Sequence, residues 1–166
     1  MLASTPIREV VLRFLAEPAH VNFGGKVHGG QVMKWIDQAA YACASSWSGR
    51  YCVTAYVGGI HFEQPIRIGE IVDVAAMVIL TGRTSVHVAV EVSARLPTSG
   101  ERRETTHCVL VFVAVDVDGK PTPVPAWVAQ SDADKTLERY ALRLKELERA
   151  ASDERKKLSA HIAVKN

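Results

Sequence analysis

Cysteine and aromatic residues are scarce in this chain, and neither sign of charge dominates it. Only three of its 166 residues are cysteines, Cys43, Cys52 and Cys108, and 7% are aromatic. An odd number of cysteines, each set among small or aliphatic residues, predicts buried reduced thiols and excludes a disulfide framework. We therefore expect a cytoplasmic protein with an ordinary hydrophobic core, since nearly half of the residues are apolar.

Charge, hydropathy and histidine spacing exclude several classes of function. The 20 basic and 18 acidic residues leave a formal net charge of +2, so neither nucleic acid nor an anionic membrane is expected as a partner. No apolar run approaches the roughly 18 residues needed to span a bilayer, and residues 1–6 lack the basic and apolar regions of a signal peptide. His61, His87 and His107 stand singly, without the spacing of metal ligands, so no metal site is expected.

The order of sequence patterns predicts an α+β fold. A partly alternating segment at 7–14 favours a first strand, and residues 29–47 carry apolar residues at helical spacing, with several alanines among them. Four strand-like runs follow, at 51–62, 70–80, 85–92 and 105–117. We expect five strands to form an antiparallel sheet that wraps the slim helix and buries it on nearly all sides.

The composition changes after a proline-rich stretch at 121–125. The segment 132–157 is highly charged, and its leucines and alanines form a narrow helical stripe. We therefore divide the chain into a single domain at 1–128 and a charged C-terminal helix and tail at 129–166. The helix is interpreted as a solvated helix packed along one face, with an oligomer contact as the alternative.

A glycine-rich loop at 22–30 leads directly into the first predicted helix. It ends in His28, Gly29 and Gly30, so bare backbone N–H groups at a helix N-terminus are available to hold an oxyanion. Asp37 follows in an otherwise apolar stretch, where we expect it to be largely enclosed, and a buried carboxylate must be paired, hydrogen-bonded or functional. A surface or capping aspartate, and a glycine turn needed only for tight entry into the helix, are the structural alternatives.

Three motifs in this order resemble those of one known family. They are Asn22 with Val27-His28-Gly29-Gly30 and Trp35-Ile36-Asp37, then Phe62-x-x-Pro65-Ile66-x-Ile68-Gly69-Glu70, then Gly82-Arg83-Thr84-Ser85. Across residues 7–125 the chain resembles the hotdog-fold acyl-CoA thioesterases, in particular the bacterial YciA-type and mammalian cytosolic brain-type hydrolases. The resemblance implies a long helix wrapped by a five-stranded antiparallel sheet, and hydrolysis of fatty acyl-CoA to free fatty acid and CoA.

The resemblance also implies roles for individual residues. Asp37 stands where the family has its catalytic acid, which acts as general base or as nucleophile. Asn22 stands fifteen residues earlier, where the family has an asparagine supplied by the opposite subunit. The segment of His28, Gly29 and Gly30 would donate backbone N–H groups to the thioester carbonyl.

CoA binding and assembly follow from the same resemblance. A turn made by Gly82, Arg83, Thr84 and Ser85 would lie along the pantetheine and phosphates of CoA, with Arg83 as a phosphate partner. CoA enters as part of the substrate, so no separate cofactor is expected. Since the two catalytic residues come from different subunits, the resemblance implies at least a homodimer, and a hexamer built as a trimer of dimers. Related sequences often carry an acidic residue near Gly58, so the preferred acyl chain length stays open.

Two other functions remain open at this point. A non-catalytic acyl-CoA sensor on the same fold would need a DNA-binding or partner domain, and no helix-turn-helix pattern precedes residue 7. A hotdog dehydratase would use a histidine paired with an acid, and His28 has no acid placed as its partner in the sequence.

Overall fold

A computed structural model of the chain describes residues 6–163, so the expectation of no signal peptide at residues 1–6 lies almost entirely outside the described residues. The chain divides into two compact units, the first ending at Val128 and the second beginning at Ala129. In its described part, the first unit contains one long helix and six strands: β1 Glu9–Leu15, α1 Gly29–Ser48, β2 Cys52–Val57, β3 His61–Phe62, β4 Ile71–Thr81, β5 Ser85–Arg95 and β6 Arg103–Ala114.

The strands form one antiparallel sheet, which together with α1 is the predicted α+β arrangement. Five strands follow the order β1-β4-β5-β6-β2, and the two-residue β3 pairs with β6 as an addition to the five that were predicted. In the central strands Val74 pairs with Val92, and Val90 pairs with Cys108. These side chains are fully buried or nearly so, which explains the high proportion of valine in β4 and β5.

The helix α1 packs one face on the sheet and leaves the opposite face exposed in this chain. Its buried face is made of side chains three and four residues apart: Val32, Trp35, Ile36, Ala39, Ala40, Cys43 and Ala44. The expectation that the sheet encloses α1 on nearly all sides is wrong for a single chain. Met33 is 48% exposed, Tyr41 is 38% exposed, and Asp37 lies between them on the same face. One sheet offers one inner face, so it covers one side of the helix.

Two glycines shape the chain between α1 and β3. Gly49 ends α1 in the left-handed conformation, with a φ of 65°, and its N–H donates to the carbonyl oxygen of Ser45 at 2.9 Å. Gly58 interrupts the single strand predicted at 51–62, which the structure divides into β2 and β3. A Cβ atom at Gly58 would lie 2.9 Å from the carbonyl oxygen of Val109 on β6, so the two backbones approach closely at this glycine.

Side-chain contacts show which ends of the helix and the strands lie together. The ring of Phe14 near the end of β1 stacks on Trp35 at 5.1 Å, whereas Cys43 Sγ donates to the carbonyl oxygen of Arg8, before β1, at 3.1 Å. The same carbonyl oxygen accepts a bond of 3.0 Å from the N–H of Val78, near the end of β4. The end of β4 therefore lies beside the C-terminal part of α1, about 20 Å along the helix axis from Gly29.

The second unit consists mainly of α2, Asp132–Ala163, which extends past the end predicted at Lys157. The helix begins with a reciprocal cap, in which Asp134 N–H donates to Ser131 Oγ and Ser131 N–H donates to an Asp134 carboxylate oxygen, both at 3.1 Å. Ion pairs three residues apart, such as Lys157 with Glu154, follow along its surface. In the part of the chain that the structure describes, neither α1 nor α2 is long and apolar enough to cross a membrane.

Candidate active site

The loop before α1 is closed by the side chain of Asn22. Asn22 Oδ1 accepts hydrogen bonds from the N–H groups of Gly24 at 2.9 Å and Lys26 at 3.3 Å. Backbone bonds add to the closure, because Asn22 N–H donates to the Lys26 carbonyl oxygen at 2.7 Å. The side-chain oxygen is thus used inside the loop, and the Nδ2 group, which can only donate, is the part of Asn22 left to reach a ligand.

The first turn of α1 presents two backbone N–H groups. Gly29 and Gly30 are its first residues, so their N–H groups have no acceptor within the helix. Within the described chain, the side chain of the preceding His28 makes no capping bond either. The N–H of His28 is not available, because it donates to the carbonyl oxygen of His20 at 2.8 Å. Of the three residues predicted to bind an oxyanion, the two glycines are therefore the ones with N–H groups to offer.

A cleft of about 330 Å³ opens at this end of the helix. Both Asn22 and Gly29 line it, so the loop amide and the helix N-terminus face one space. The half-exposed ring of Phe62 forms another wall, since a Cβ atom on Gly29 would lie 3.2 Å from its Cζ. Val32 and Ile66 add apolar surface, which suits a ligand with an uncharged chain beside a polar group.

Asp37 lies on the exposed face of α1, so the prediction that it is enclosed is wrong for a single chain. Its Oδ1 accepts a hydrogen bond of 2.8 Å from Thr54 Oγ1 on β2. Among residues 6–163 this is the one side-chain hydrogen bond to the Asp37 carboxylate, which keeps acceptor capacity for a ligand. Sequence reasoning missed Thr54, for which the signal was weak: one threonine in an apolar strand.

The turn predicted to contact CoA lies far from the glycines. Gly82 N–H donates to the Ser85 carbonyl oxygen at 2.9 Å and closes the turn between β4 and β5, with an exposed Arg83 at its tip. Val124, in the segment after β6, also fixes this turn, because its N–H donates to the Arg83 carbonyl oxygen at 3.0 Å. Trp47 Nε1, near the end of α1, donates to the carbonyl oxygen of the next residue, Pro125, at 3.0 Å. The turn therefore lies near the end of α1, and about 27 Å of helix separates that end from Gly29.

One chain therefore assembles part of the predicted site and leaves the rest apart. Asn22 and Gly29 share the cleft, and the lining of that cleft does not include Asp37. In the described residues no hydrogen bond joins Asn22 to Asp37, and each side chain has its own partners.

The buried carboxylate of Glu70 supports the loop that precedes α1. Glu70 is 2% exposed, and each of its oxygens accepts a bond of 2.7 Å from the Arg103 guanidinium. Burial by itself raises the pKa of Glu70, but the hydrogen bonds from Arg103 and from the Arg67 N–H, with the charges of both arginines, outweigh it and lower the pKa. The turn built around Glu70 is bonded to the loop, because Val27 N–H donates to the Ile66 carbonyl oxygen at 2.9 Å.

The three cysteines are buried and free, as predicted. Burial raises the pKa of Cys43 and of Cys108 to about 12, so both remain neutral thiols near neutral pH. The thiols of Cys43 and Cys108 are therefore not candidate nucleophiles. Residues 6–163 hold no group of three or more His, Cys, Asp or Glu side chains placed to bind a metal ion.

A long helix against an antiparallel sheet, with a carboxylate on the helix and glycine N–H groups at its start, is the arrangement of a hotdog thioesterase. Residues 24–98 match the model of the Thioesterase superfamily. The acyl-CoA thioester hydrolase YciA of Salmonella typhimurium is 36% identical over 125 residues, which cover 74% of this chain and 94% of that protein. The chain belongs to this family of acyl-CoA thioester hydrolases. The predicted hotdog fold and the predicted hydrolase class are confirmed, in preference to the sensor and the dehydratase.

Two solved structures extend the comparison. A hexameric acyl-CoA thioesterase has a TM-score of 0.83 and 33% identity, with 87% of this chain and 92% of that chain covered. The acyl-CoA hydrolase of Staphylococcus aureus, solved with butyryl-CoA and CoA, has a TM-score of 0.84 and 28% identity, with 93% and 94% covered.

Structures of three alanine variants of the S. aureus hydrolase also match, at one asparagine, one aspartate and one threonine. In that protein the asparagine precedes the aspartate by fifteen residues and the threonine follows it by seventeen. Asn22, Asp37 and Thr54 have the same spacings in this chain.

Proposed function

We propose that this protein hydrolyses acyl-CoA thioesters in sites shared by two copies of the chain. Asp37 and Thr54 come from one copy, and Asn22, Gly29 and Gly30 come from the other. The observation that carries the proposal is the separation within one chain: the carboxylate lies on an exposed helix face, whereas the loop amide and the helix N-terminus face a cleft that does not include it. The matching spacings in the S. aureus variants support the choice of residues.

An antiparallel arrangement of two α1 helices would bring the halves together. In a two-fold dimer the C-terminal end of one α1 lies beside the N-terminal end of the other. The turn of Gly82, Arg83, Thr84 and Ser85 from one copy then reaches the end at which Gly29 of the other copy opens its cleft. There it can follow the pantetheine and phosphates of CoA, with the Arg83 guanidinium on a phosphate.

The surface around Asp37 supports a contact with a second copy. Met33 and Tyr41 flank it on α1, and the adjacent edge strand β2 exposes Val53 and Val57. An edge strand with unpaired backbone groups and apolar side chains fits pairing with another chain. We propose a dimer as the unit of catalysis and, with the hexameric thioesterase in support, a hexamer as the assembly. A cytoplasmic location is part of the proposal, in keeping with the buried free thiols.

The chemistry needs only water and groups of the two chains. The N–H groups of Gly29 and Gly30 polarise the thioester carbonyl and stabilise its developing negative charge, each by roughly 3–4 kcal/mol. Asp37 either removes a proton from a water that attacks the carbonyl carbon, or attacks it directly and forms an anhydride that water opens. In both routes the C–S bond breaks, CoA leaves as the thiol and the fatty acid is released. The Thr54 hydroxyl orients the carboxylate, and the Asn22 amide donates to the carboxylate or to the water.

Mixing two inactive variants tests the shared site. Asn22→Ala and Asp37→Ala are each expected to lose about 10²–10⁴-fold in the rate of thiol release from acyl-CoA. Hybrid dimers formed by co-expression have both residues intact in one of their two sites, so random pairing should restore about a quarter of the wild-type activity. Gln38→Ala changes an exposed neighbour on the same helix and should keep full activity.

Two results would contradict the proposal. A mixture no more active than its separate components would exclude a site shared between chains. A folded Asp37→Ala variant with wild-type turnover would remove the carboxylate from the mechanism.

A further inference from the structure

The loop before α1 carries an aromatic side chain that its own chain leaves uncovered. Phe23 directly follows Asn22, and it is the largest apolar side chain that is fully exposed in the part of the chain that the structure describes. The cleft at the start of α1 is lined by Asn22 and Gly29, but the ring of Phe23 is not one of its walls. A single exposed ring is common on protein surfaces, so its meaning depends on what lies opposite it in the dimer.

A site shared by two copies fixes which residues of the two α1 helices face each other. In an antiparallel pair related by a two-fold axis, Asp37 lies opposite Gly29 of the other copy only if the axis passes halfway between them, at Met33. Met33 is half-exposed on the same helix face as Asp37, as this arrangement requires. Tyr41 follows Asp37 by four residues, about 6 Å along the helix. It therefore lies opposite the segment that precedes Gly29 in the other copy, which is the loop of Phe23.

Tyr41 belongs to an exposed pair of aromatic rings. Its ring contacts that of Tyr51 edge to face, with centroids 6.0 Å apart, and the two side chains are 38% and 61% exposed. We call Tyr41 and Tyr51 the aromatic pair. Within one chain Phe23 does not reach this pair, because its ring is fully exposed and Tyr41 lies twelve residues, about 18 Å of helix, beyond Gly29. A contact between these rings therefore needs two copies.

We infer that Phe23 is a positioning residue whose ring packs on the aromatic pair of the other copy and so places Asn22 beside Asp37. The inference rests on the proposed function, because it takes the site to be shared between copies. Aromatic rings pack edge to face or offset on one another, and an aromatic side chain that fills such a position at an interface is among the residues whose truncation weakens binding most.

Hydrogen bonds within the loop connect the ring to the site. Asn22 Oδ1 accepts bonds from the N–H groups of Gly24 at 2.9 Å and Lys26 at 3.3 Å, so the segment around Phe23 is folded back on the Asn22 side chain. A ring held by the other copy therefore limits the positions that the Asn22 amide can take. Without the ring, the loop keeps its internal bonds but can shift as a unit relative to the other copy.

The variants Phe23→Ala and Phe23→Tyr test the inference in the full-length oligomer. At protein concentrations that keep the variant dimeric, Phe23→Ala should lower kcat for acyl-CoA about tenfold or more and leave KM within about twofold. On dilution, its dimer should dissociate at a concentration about tenfold or more above that of the wild type. Phe23→Tyr keeps the ring and should retain kcat and dimer stability. The control Val11→Ala removes an exposed apolar side chain from the opposite edge strand, β1, and should change none of these quantities.

Tyr51→Ala and the double variant Phe23→Ala/Tyr51→Ala show whether the two side chains interact. If Phe23 packs on the aromatic pair, the double variant should dissociate at about the same concentration as the weaker single variant, instead of showing the product of the two effects. Because the two residues lie apart within one chain, such coupling identifies a contact between copies. Coupling in a protein that releases no thiol from acyl-CoA would refute the proposed hydrolysis and leave the contact standing.

Four results would overturn the inference. The first is independent effects of Phe23→Ala and Tyr51→Ala on dissociation, and the second is equal losses in Phe23→Ala and Phe23→Tyr. The third is a Phe23→Ala variant whose kcat equals that of the wild type once it is dimeric, since the ring would then have no influence on Asn22. The fourth is a rise in KM with an unchanged dimer, which would place the ring on the substrate.

Discussion

Two carboxylates of the same unit, Glu70 and Asp37, have opposite surroundings. Glu70 is 2% exposed, and its oxygens accept bonds from the Arg103 guanidinium and the Arg67 N–H. Asp37 is exposed and accepts a single side-chain bond within the described chain, from Thr54. The chain thus satisfies the buried carboxylate behind its loop by itself, and leaves the Asp37 carboxylate with acceptor capacity for a ligand.

The difference has a physical reason. A buried carboxylate without partners costs several kcal/mol, so Glu70 must be satisfied as soon as the chain folds. An exposed carboxylate stays solvated at little cost, so Asp37 can remain open until another chain and a substrate cover it. The fully bonded Glu70 thus fits a structural role, and the sparsely bonded Asp37 fits the catalytic role that we propose for it.

Replacing Glu70 by alanine should have the largest effect on stability. It leaves the partly buried Arg103 guanidinium without its partner, and we expect a loss of about 3–5 kcal/mol in the free energy of unfolding. Asp37→Ala is the control and should lose no more than about 1 kcal/mol, because it removes one hydrogen bond at an exposed position. Denaturant unfolding of both variants measures these free energies. Equal losses would show that the two carboxylates contribute equally to stability.

The pH dependence of stability in Glu70→Ala gives a second test of this ion pair. The pKa of Glu70 is lowered by folding, so its stabilisation is present above the ordinary value of 4.5 and is lost as the pH falls from there through the folded pKa. Asp73, whose pKa is lowered by its hydrogen bond to Arg13, remains in both proteins. The gap in Tm between the wild type and Glu70→Ala should therefore narrow below pH 4.5. A constant gap would mean that the charge of Glu70 does not stabilise the fold.

Most of the fold could be predicted from the sequence because its signals are local. The alanine-rich pattern marks α1, which begins at Gly29 as predicted, and the alternation at 85–92 marks the core of β5. The division of 51–62 into two strands could not be predicted in the same way. Between the two strands, the Gly58 N–H donates to the Val109 carbonyl oxygen on β6 at 2.8 Å, and this close approach depends on tertiary packing.

The site residues could be named from motifs, but their exposure could not. Trp35 and Ile36 suggested that Asp37 is enclosed, yet they lie on the side of α1 that faces the sheet, and a neighbour in sequence points elsewhere on a helix. The role of Thr54 depends on β2 lying beside α1, a contact between elements that no local pattern encodes. The separation of Asp37 from Asn22 is likewise a property of the folded chain.

Gly58 lies between β2, which carries Thr54, and β3, which carries Phe62. Gly58→Ala would place a Cβ atom 2.9 Å from a carbonyl oxygen held in the sheet, and we expect a loss of about 1–3 kcal/mol in stability. Gly59→Ala is the matched control, since its Cβ would meet nothing closer than His61 Nε2 at 3.8 Å. Activity should fall with Gly58→Ala as well, because Phe62 on β3 lies against Gly29, for which we propose the oxyanion role. Equal melting temperatures for the two variants would show that the Val109 carbonyl can move aside.

The smallest expected change in stability is that of Thr54→Val, which should alter activity alone. Thr54→Val keeps the shape of the side chain and removes the 2.8 Å hydrogen bond to Asp37, so kcat/KM should fall about tenfold while the free energy of unfolding stays within about 0.5 kcal/mol. Thr54→Ser retains the hydroxyl and should keep most of the activity, which separates orientation of the carboxylate from packing of the methyl group. If both variants lose the same activity, the hydroxyl does not orient Asp37. The single bond that distinguishes Asp37 from the fully bonded Glu70 would then be incidental to the reaction.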